Sequence, residues 1–181
     1  MKFHALEEFG RVQLSRNFAM RQFLYSEIAT VYGIPNIPDD PELALKTGTN
    51  LCEEVLEPII EMFGPIIVRS GFRCAALNAF GQKNHLRCAS NKNNFAYHVW
   101  DKRDHNGCMG AAACIVIPWA RDNLREDQID ELAFQLDTAL NYHRMTFFRQ
   151  HATFNIGWHE APRREILHYC PKRRWIKRHN C

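Results

Sequence analysis

The sequence lacks any apolar run approaching the ~20 residues that a membrane-spanning helix needs. It also lacks a recognisable signal peptide, because Glu7 and Glu8 lie where such a leader would be apolar. These two absences predict synthesis in the cytoplasm and no membrane contact. Action on a cell wall would therefore require another factor to deliver the protein.

No C-x-x-C pair occurs among the seven cysteines, which argues against a structural zinc knuckle. Seven is nevertheless many for a cytosolic domain, and the number is odd. Two interpretations stay open: small buried or free thiols, the usual state of cysteine, and disulfides between chains of an assembled particle. Cys181 is the best candidate for an inter-chain disulfide, because a chain end is usually exposed and mobile.

Internal repeats and low-complexity linkers are absent as well, so the 181 residues predict one globular domain. The net charge is only +3, yet seven lysines and arginines lie between Ala161 and the chain end, with Glu165 as the only acid there. We therefore expect a domain over residues 1–162 and a basic tail over residues 163–181. Such a tail is a candidate for contact with nucleic acid phosphates or an acidic partner, and a simply solvated tail is the alternative.

Hydrophobic periodicity predicts helices early in the chain and strands late. A four-residue repeat of apolar residues predicts a helix that ends at Phe63, and Pro58 inside it is expected to kink it or to remove one hydrogen bond. A second amphipathic helix is expected over residues 126–142. Short strands are expected at residues 66–68, 111–118, 145–149 and 153–159, and residues 166–169 are a further candidate. The predicted fold class is α+β, a small antiparallel sheet with flanking helices.

Four short motifs follow one another along the chain: Ser70-Gly71-Phe72-Arg73, Tyr97-His98, Gly110-Ala111-Ala112-Ala113-Cys114 and Gly157-Trp158-His159. Upstream of them lie Leu14-Ser15-Arg16-Asn17-Phe18 and Val55-Leu56-Glu57-Pro58-Ile59. In this order the motifs resemble the zinc D-Ala-D-Ala carboxypeptidase and L-alanyl-D-glutamate endopeptidase family, which has the hedgehog/DD-peptidase fold. The phage-encoded branch of that family is the most similar, and the resemblance covers most of residues 14–160.

The resemblance implies a catalytic zinc held by a His, an Asp and a second His, with an arginine that helps to hold the substrate. In this sequence the ligands would be His98, Cys114 in place of the Asp, and His159, and Arg73 matches the arginine. A thiolate binds zinc well, so the replacement at position 114 does not by itself remove the site. Alternative ligands lie in an apparent insertion over residues 101–109: Asp101, Asp104 and His105.

The carboxylate base that the family places three residues before its last His is missing, because Ile156 occupies that position. Glu160 is the nearest acid and, with Arg73, a candidate catalytic residue, although on a strand it would point away from His159. Loss of a proton-transfer group commonly costs factors of about 10² to 10⁴ in rate. Three states stay open: an active peptidase, a zinc site without efficient hydrolysis, and a metal-free descendant of the fold, which the missing base favours. In the last state His98 would be an ordinary hydrogen-bonded histidine and Cys114 a small core residue.

The expected function is a structural component of a phage virion, in the neck, collar or tail, built on a peptidase-like fold. Such a protein would be made in the host bacterial cytoplasm, bind other virion proteins and form a homo-oligomer, with cyclic symmetry the commonest choice. The alternative is an active zinc peptidase that cuts a peptide bond in peptidoglycan. A third and weaker interpretation is a nucleic-acid-binding module that uses the C-terminal arginines.

Overall fold

A computed structural model describes residues 3–169 and 172–178 of the chain. Helices dominate its first half: α1 Phe3–Arg11, α2 Arg21–Leu24, α3 Glu27–Tyr32, α4 Pro41–Leu51, a π-helical turn Cys52–Leu56, α5 Glu57–Phe63, α6 Ala75–Lys83 and α7 Asn91–Asn94. Further along are α8 Pro118–Asn123, a 3₁₀ turn Glu126–Gln128 and α9 Ile129–Ala139. The strands are β1 Ile67–Ser70, β2 Gly110–Val116, β3 Arg144–Phe147, β4 Thr153–His159, β5 Glu165–His168 and β6 Arg174–Lys177.

The six strands form one open sheet in the order β1-β2-β4-β3-β5-β6, flanked by helices. The mixed α+β class predicted from the sequence is therefore confirmed. The sheet is not wholly antiparallel, however, because β5 pairs with β3 in parallel. The reason is the path of the chain: β4 turns back beside β3, and β5 turns back again on the other side of β3, so β3 and β5 run the same way.

The helical stretch from Pro41 to Phe63 agrees with the sequence prediction and contains a local change of hydrogen bonding. The backbone N–H of Glu57 donates to the carbonyl of Cys52, a five-residue spacing that is typical of a π-helical turn. The next residue is Pro58, which has no N–H to donate. The irregularity predicted at Pro58 is thus present as a π-helical turn directly before it.

The segment predicted as a basic tail contributes β5 and β6 to the same sheet. Several of its cations are paired with acids of the domain: Arg164 and Lys177 with Asp137, and Arg174 with Asp130. Three of the seven cations near the C-terminus are therefore paired with acids. Cys181, the candidate for an inter-chain disulfide, lies outside the described residues.

The core lies between the sheet and the helices. All seven residues of β2 are buried, and Ile129, Leu132, Ala133 and Leu136 of α9 are buried with them. Cys52, Cys74, Cys88, Cys108 and Cys114 are free thiols. Within the described ranges, no helix combines the length and apolar character that crossing a bilayer would require.

Candidate functional site

The loop that carries His98 lies directly against the sheet. The backbone N–H of Ala112, in β2, donates to the carbonyl of Tyr97 at 2.7 Å, and the N–H of Arg73 donates to the carbonyl of His98 at 2.8 Å. This close approach requires glycine at position 110, because a Cβ there would lie 2.2 Å from the carbonyl oxygen of Ala96. The absence of a side chain at Gly110 therefore allows the loop that carries His98 to lie over the junction of β1 and β2.

Both ring nitrogens of His98 have partners within the protein. Nδ1 lies 3.1 Å from the carbonyl oxygen of Gly71, which can only accept, so Nδ1 carries the proton. Nε2 therefore has the free lone pair, and the side-chain amide of Asn155 lies 3.1 Å from it as a donor. Burial, helped by the nearby Arg73 cation, lowers the pKa of His98 to about 4. The neutral ring is consequently locked by two hydrogen bonds.

Cys114 lies directly across the sheet from Asn155, in the register of β2 and β4. The two residues and His98 therefore share one face of the sheet. Burial raises the pKa of the Cys114 thiol to about 11, although the Arg69 cation partly offsets this effect. Formation of the thiolate that binds zinc therefore costs more here than for an exposed cysteine.

His159 is not brought to His98 and Cys114. It pairs with Gly110, four residues along β2 from Cys114, which corresponds to roughly 13 Å at the usual rise of a strand. The N–H of Ala161 donates to its Nδ1 at 3.0 Å, and its Nε2 lies 3.4 Å from the carboxylate of Asp104. The three ligands expected from the sequence are thus distributed over two places on the sheet.

The remaining candidates of the inserted loop have separate roles. Asp101 accepts a hydrogen bond from the backbone N–H of Asp39 at 2.7 Å, next to the start of α4. His105 is exposed. Asp104 accepts from the N–H groups of Asn106 and Cys108, both at 2.9 Å, and so organises its own loop. Of these alternatives, only Asp104 reaches a predicted ligand, His159.

Glu160 and Arg73, the two candidate catalytic residues, lie in different surroundings. Glu160 accepts a hydrogen bond from the N–H of Met109 at 2.6 Å and lies 3.6 Å from Arg103. Arg73 donates to the Asn78 amide oxygen at 3.2 Å and to the sulfur of Cys88 at 3.0 Å. Arg73 also lines a cleft that reaches Cys114, whereas Glu160 does not.

The donors present do not fit a catalytic zinc, which needs three protein ligands around one open position. His98 offers only Nε2, which is hydrogen-bonded to an amide, and Cys114 is a buried neutral thiol. In the parts of the chain that the structure describes, no group of three or more His, Cys, Asp or Glu side chains is placed to hold a metal ion. Ile156, at the position of the base, is fully buried in the core.

Sequence reasoning missed two features of this region. Asn155 was overlooked, although it lies four residues before His159 on β4, and the alternation of side chains along a strand puts both on the same face. His143 was also missed, and its ring stacks on His159 with centroids 4.4 Å apart. Burial, followed by the neighbouring His159, lowers the pKa of His143 to about 3. His143, His159 and Asp104 line a second cavity of about 570 Å³.

The fold and the site define a mixed α+β domain with an open six-stranded sheet and a hydrogen-bonded His98–Asn155 pair at its centre. No protein-family model matches the chain, and searches of curated proteins and of solved structures find no match. The resemblance to the zinc peptidases therefore rests on the sequence motifs.

Proposed function

We propose that this protein is a non-catalytic structural component of a phage virion, built on a peptidase-like domain that has lost its zinc site. The observation that carries this proposal is the hydrogen bond between Asn155 and Nε2 of His98, at 3.1 Å. Nε2 is the nitrogen with which His98 would bind a metal, since Nδ1 donates to Gly71. Asn155 is neutral and is a poor zinc ligand compared with His, Cys or Asp.

Two further observations support the loss of catalysis. Cys114 replaces the expected aspartate, and burial raises its pKa to about 11, so formation of the thiolate that zinc needs is costly. Ile156 replaces the expected base and packs in the core at 0% exposure. The proposed protein thus lacks both the metal-activated water and the group that would accept its proton.

The virion role rests on the resemblance of the motifs to the phage-encoded branch of the peptidase family. A virion role also implies self-association, since neck, collar and tail parts are repeated around an axis. Light scattering coupled to size-exclusion chromatography measures this directly. We expect one discrete oligomer larger than the 21.2 kDa chain. A strictly monomeric protein at every concentration tested would contradict the virion role.

The loss of catalysis is tested by incubating the purified protein with peptidoglycan fragments in the presence of zinc and detecting cleaved peptides by mass spectrometry. We expect no cleavage above the rate of the His98→Ala variant, which serves as the matched control. Cleavage by the wild type that disappears in His98→Ala would overturn the proposal and establish the alternative.

That alternative is an active zinc peptidase acting on peptidoglycan peptides, and one observation favours it. Arg73, the residue that matches the substrate-binding arginine of the family, still lines an open cleft next to Cys114. A peptide carboxylate could be held there by its guanidinium. The cleavage assay above separates the two functions, because binding of a peptide without its hydrolysis does not produce fragments.

A further inference from the structure

A cleft of about 710 Å³ lies beside β1 and reaches Cys114. Its lining includes four arginines from separate parts of the chain: Arg69 in β1, Arg73 just after β1, Arg87 after α6 and Arg149 after β3. We name it the arginine cleft. Because these residues are distant in sequence, their convergence is a property of the fold and not of a local basic run.

The four guanidinium groups have no carboxylate partners. Across residues 3–169 and 172–178, none of them forms an ion pair, whereas Arg144, Arg164 and Arg174 each do. Within the cleft, Arg69 donates to the Gln150 side chain, and Arg73 donates to Asn78 and Cys88. None of these partners is a carboxylate.

Glu27 is the single acid in the lining, which leaves an excess of three positive charges. Like charges gathered around one concave space raise its potential and attract anions. A single carboxylate would neutralise only part of this excess. Phosphate groups fit better, because the planar fork of a guanidinium donates two parallel hydrogen bonds to phosphate oxygens.

An aromatic pair borders the same cleft. The rings of Phe148 and Tyr169 both line it, and they are nearly parallel, with centroids 6.3 Å apart and an angle of 20° between their planes. Tyr169 is exposed, and the guanidinium of Arg173 lies 6.0 Å from the centroid of its ring. Aromatic faces beside arginines are the combination with which proteins bind the bases and phosphates of single-stranded nucleic acids.

We propose that the arginine cleft binds nucleotide phosphates, with a base placed against the Phe148–Tyr169 pair. The ligand is either a free nucleotide or a nucleotide unit of a single strand, and both supply the same chemistry. The cleft volume is in the usual range for a site of this kind. This inference goes beyond the virion role and does not depend on it, and three of the four arginines, Arg69, Arg87 and Arg149, have no part in the peptidase alternative.

The test is fluorescence anisotropy of the full chain with a labelled hexathymidylate, with unlabelled thymidine monophosphate as competitor. The Arg69→Gln/Arg149→Gln double variant removes two charges from the cleft. The Arg121→Gln/Arg125→Gln double variant removes two charges from exposed arginines outside it and is the matched control. Circular dichroism verifies that each variant is folded.

We expect the cleft double variant to raise the Kd at least tenfold and the control to change it less than twofold. The slope of log affinity against log salt should become shallower by about 1.4, since each lost phosphate contact on a single strand contributes about 0.7. Tyr169→Ala should weaken binding at least fivefold, and Tyr169→Phe, which keeps the aromatic ring, should restore it.

Competition by the monophosphate at concentrations similar to those of the oligonucleotide identifies a free nucleotide as the ligand, and competition by the oligonucleotide alone identifies a strand. Both outcomes support the site. Equal weakening in the two double variants would overturn it, because binding would then follow net charge alone. Absence of saturable binding up to about 1 mM of either probe would overturn it as well. So would preferential binding of an acidic peptide over both nucleotide probes.

Discussion

At the scale of single residues, both ring nitrogens of His98 are committed to hydrogen bonds within the protein. Its Nδ1 proton is fixed by the carbonyl of Gly71, and its Nε2 lone pair by the amide of Asn155. For a buried histidine whose two ring nitrogens are both hydrogen-bonded, the neutral form is stable, and protonation carries a large free-energy cost. His143 differs from His98, because it is half-buried and its ring stacks on that of His159.

The low pKa values of His98 and His143 predict how stability depends on pH. The folded-state pKa values of about 4 for His98 and about 3 for His143 lie below the ordinary value of 6.5. Below pH 6.5 the unfolded chain therefore binds protons that the folded chain does not, so the free energy of unfolding should decrease. The slope is about 1.4 kcal/mol per pH unit for each histidine.

Urea unfolding between pH 7.5 and pH 4.5 measures this dependence. We expect the wild-type midpoint to be constant above pH 6.5 and to fall steadily below it. His143→Gln should flatten the curve, whereas His85→Asn, at an exposed position with a φ of 55°, should leave its slope unchanged. A wild-type midpoint that stays constant down to pH 4.5 would show that these histidines titrate normally.

At the scale of secondary-structure elements, Glu57 at the start of α5 ties the N-terminal segment to the long helical stretch. Its carboxylate accepts from the Ser15 hydroxyl at 2.6 Å, and from the backbone N–H and side-chain amide of Asn17 at 2.7 and 2.6 Å. Burial alone would raise the pKa of Glu57, but these hydrogen bonds outweigh it and lower that pKa. The Glu57 carboxylate thus joins the motif over residues 14–18 to the motif over residues 55–59.

Replacement of Glu57 by Ala should therefore destabilise the protein by about 1–3 kcal/mol, because three hydrogen bonds to a charged group are lost together. Glu61→Ala, at an exposed position of the same helix, is the matched control and should change stability by less than about 0.5 kcal/mol. Chemical denaturation gives both values. A similar small effect for the two variants would mean that the junction contributes little to the fold.

The elements themselves were largely predictable from the sequence. The apolar repeat that ends at Phe63, the amphipathic helix α9 and the buried strand β2 all follow from periodicity and burial. The parallel pairing of β3 with β5 was not predictable, since strand patterns give no direction for a partner that is distant along the chain. The π-helical turn before Pro58 was expected only as an irregularity.

The site was less predictable than the fold. Motif spacing assigned the last zinc ligand to His159, but the register of β2 and β4 places Asn155 opposite Cys114. Register depends on pairing across the sheet, so a shift along one strand is invisible in the sequence of that strand alone. The arginine cleft was likewise hidden, because Arg69, Arg87 and Arg149 meet only after folding.

At the scale of the whole molecule, three features lie on or beside one open sheet. They are the hydrogen-bonded His98–Asn155 pair, the separate His143–His159–Asp104 cluster and the arginine cleft. Strands β5 and β6 belong to this sheet, and Arg174 and Lys177 pair with Asp130 and Asp137 of α9. The arginine cleft gathers four arginines that form no ion pair within residues 3–169 and 172–178. The central proposal for this molecule is that a peptidase-like scaffold has lost the ability to hold zinc.

Isothermal titration with zinc tests that claim most directly, on the wild type and on a Cys114→Asp/Asn155→His variant. The variant restores a His and an Asp on the sheet face beside His98, where the structure places Asn155 and Cys114. We expect no stoichiometric binding by the wild type, one zinc per chain in the double variant, and weak binding in Cys114→Asp alone. A wild type that binds one zinc per chain with a micromolar or lower Kd would contradict the account.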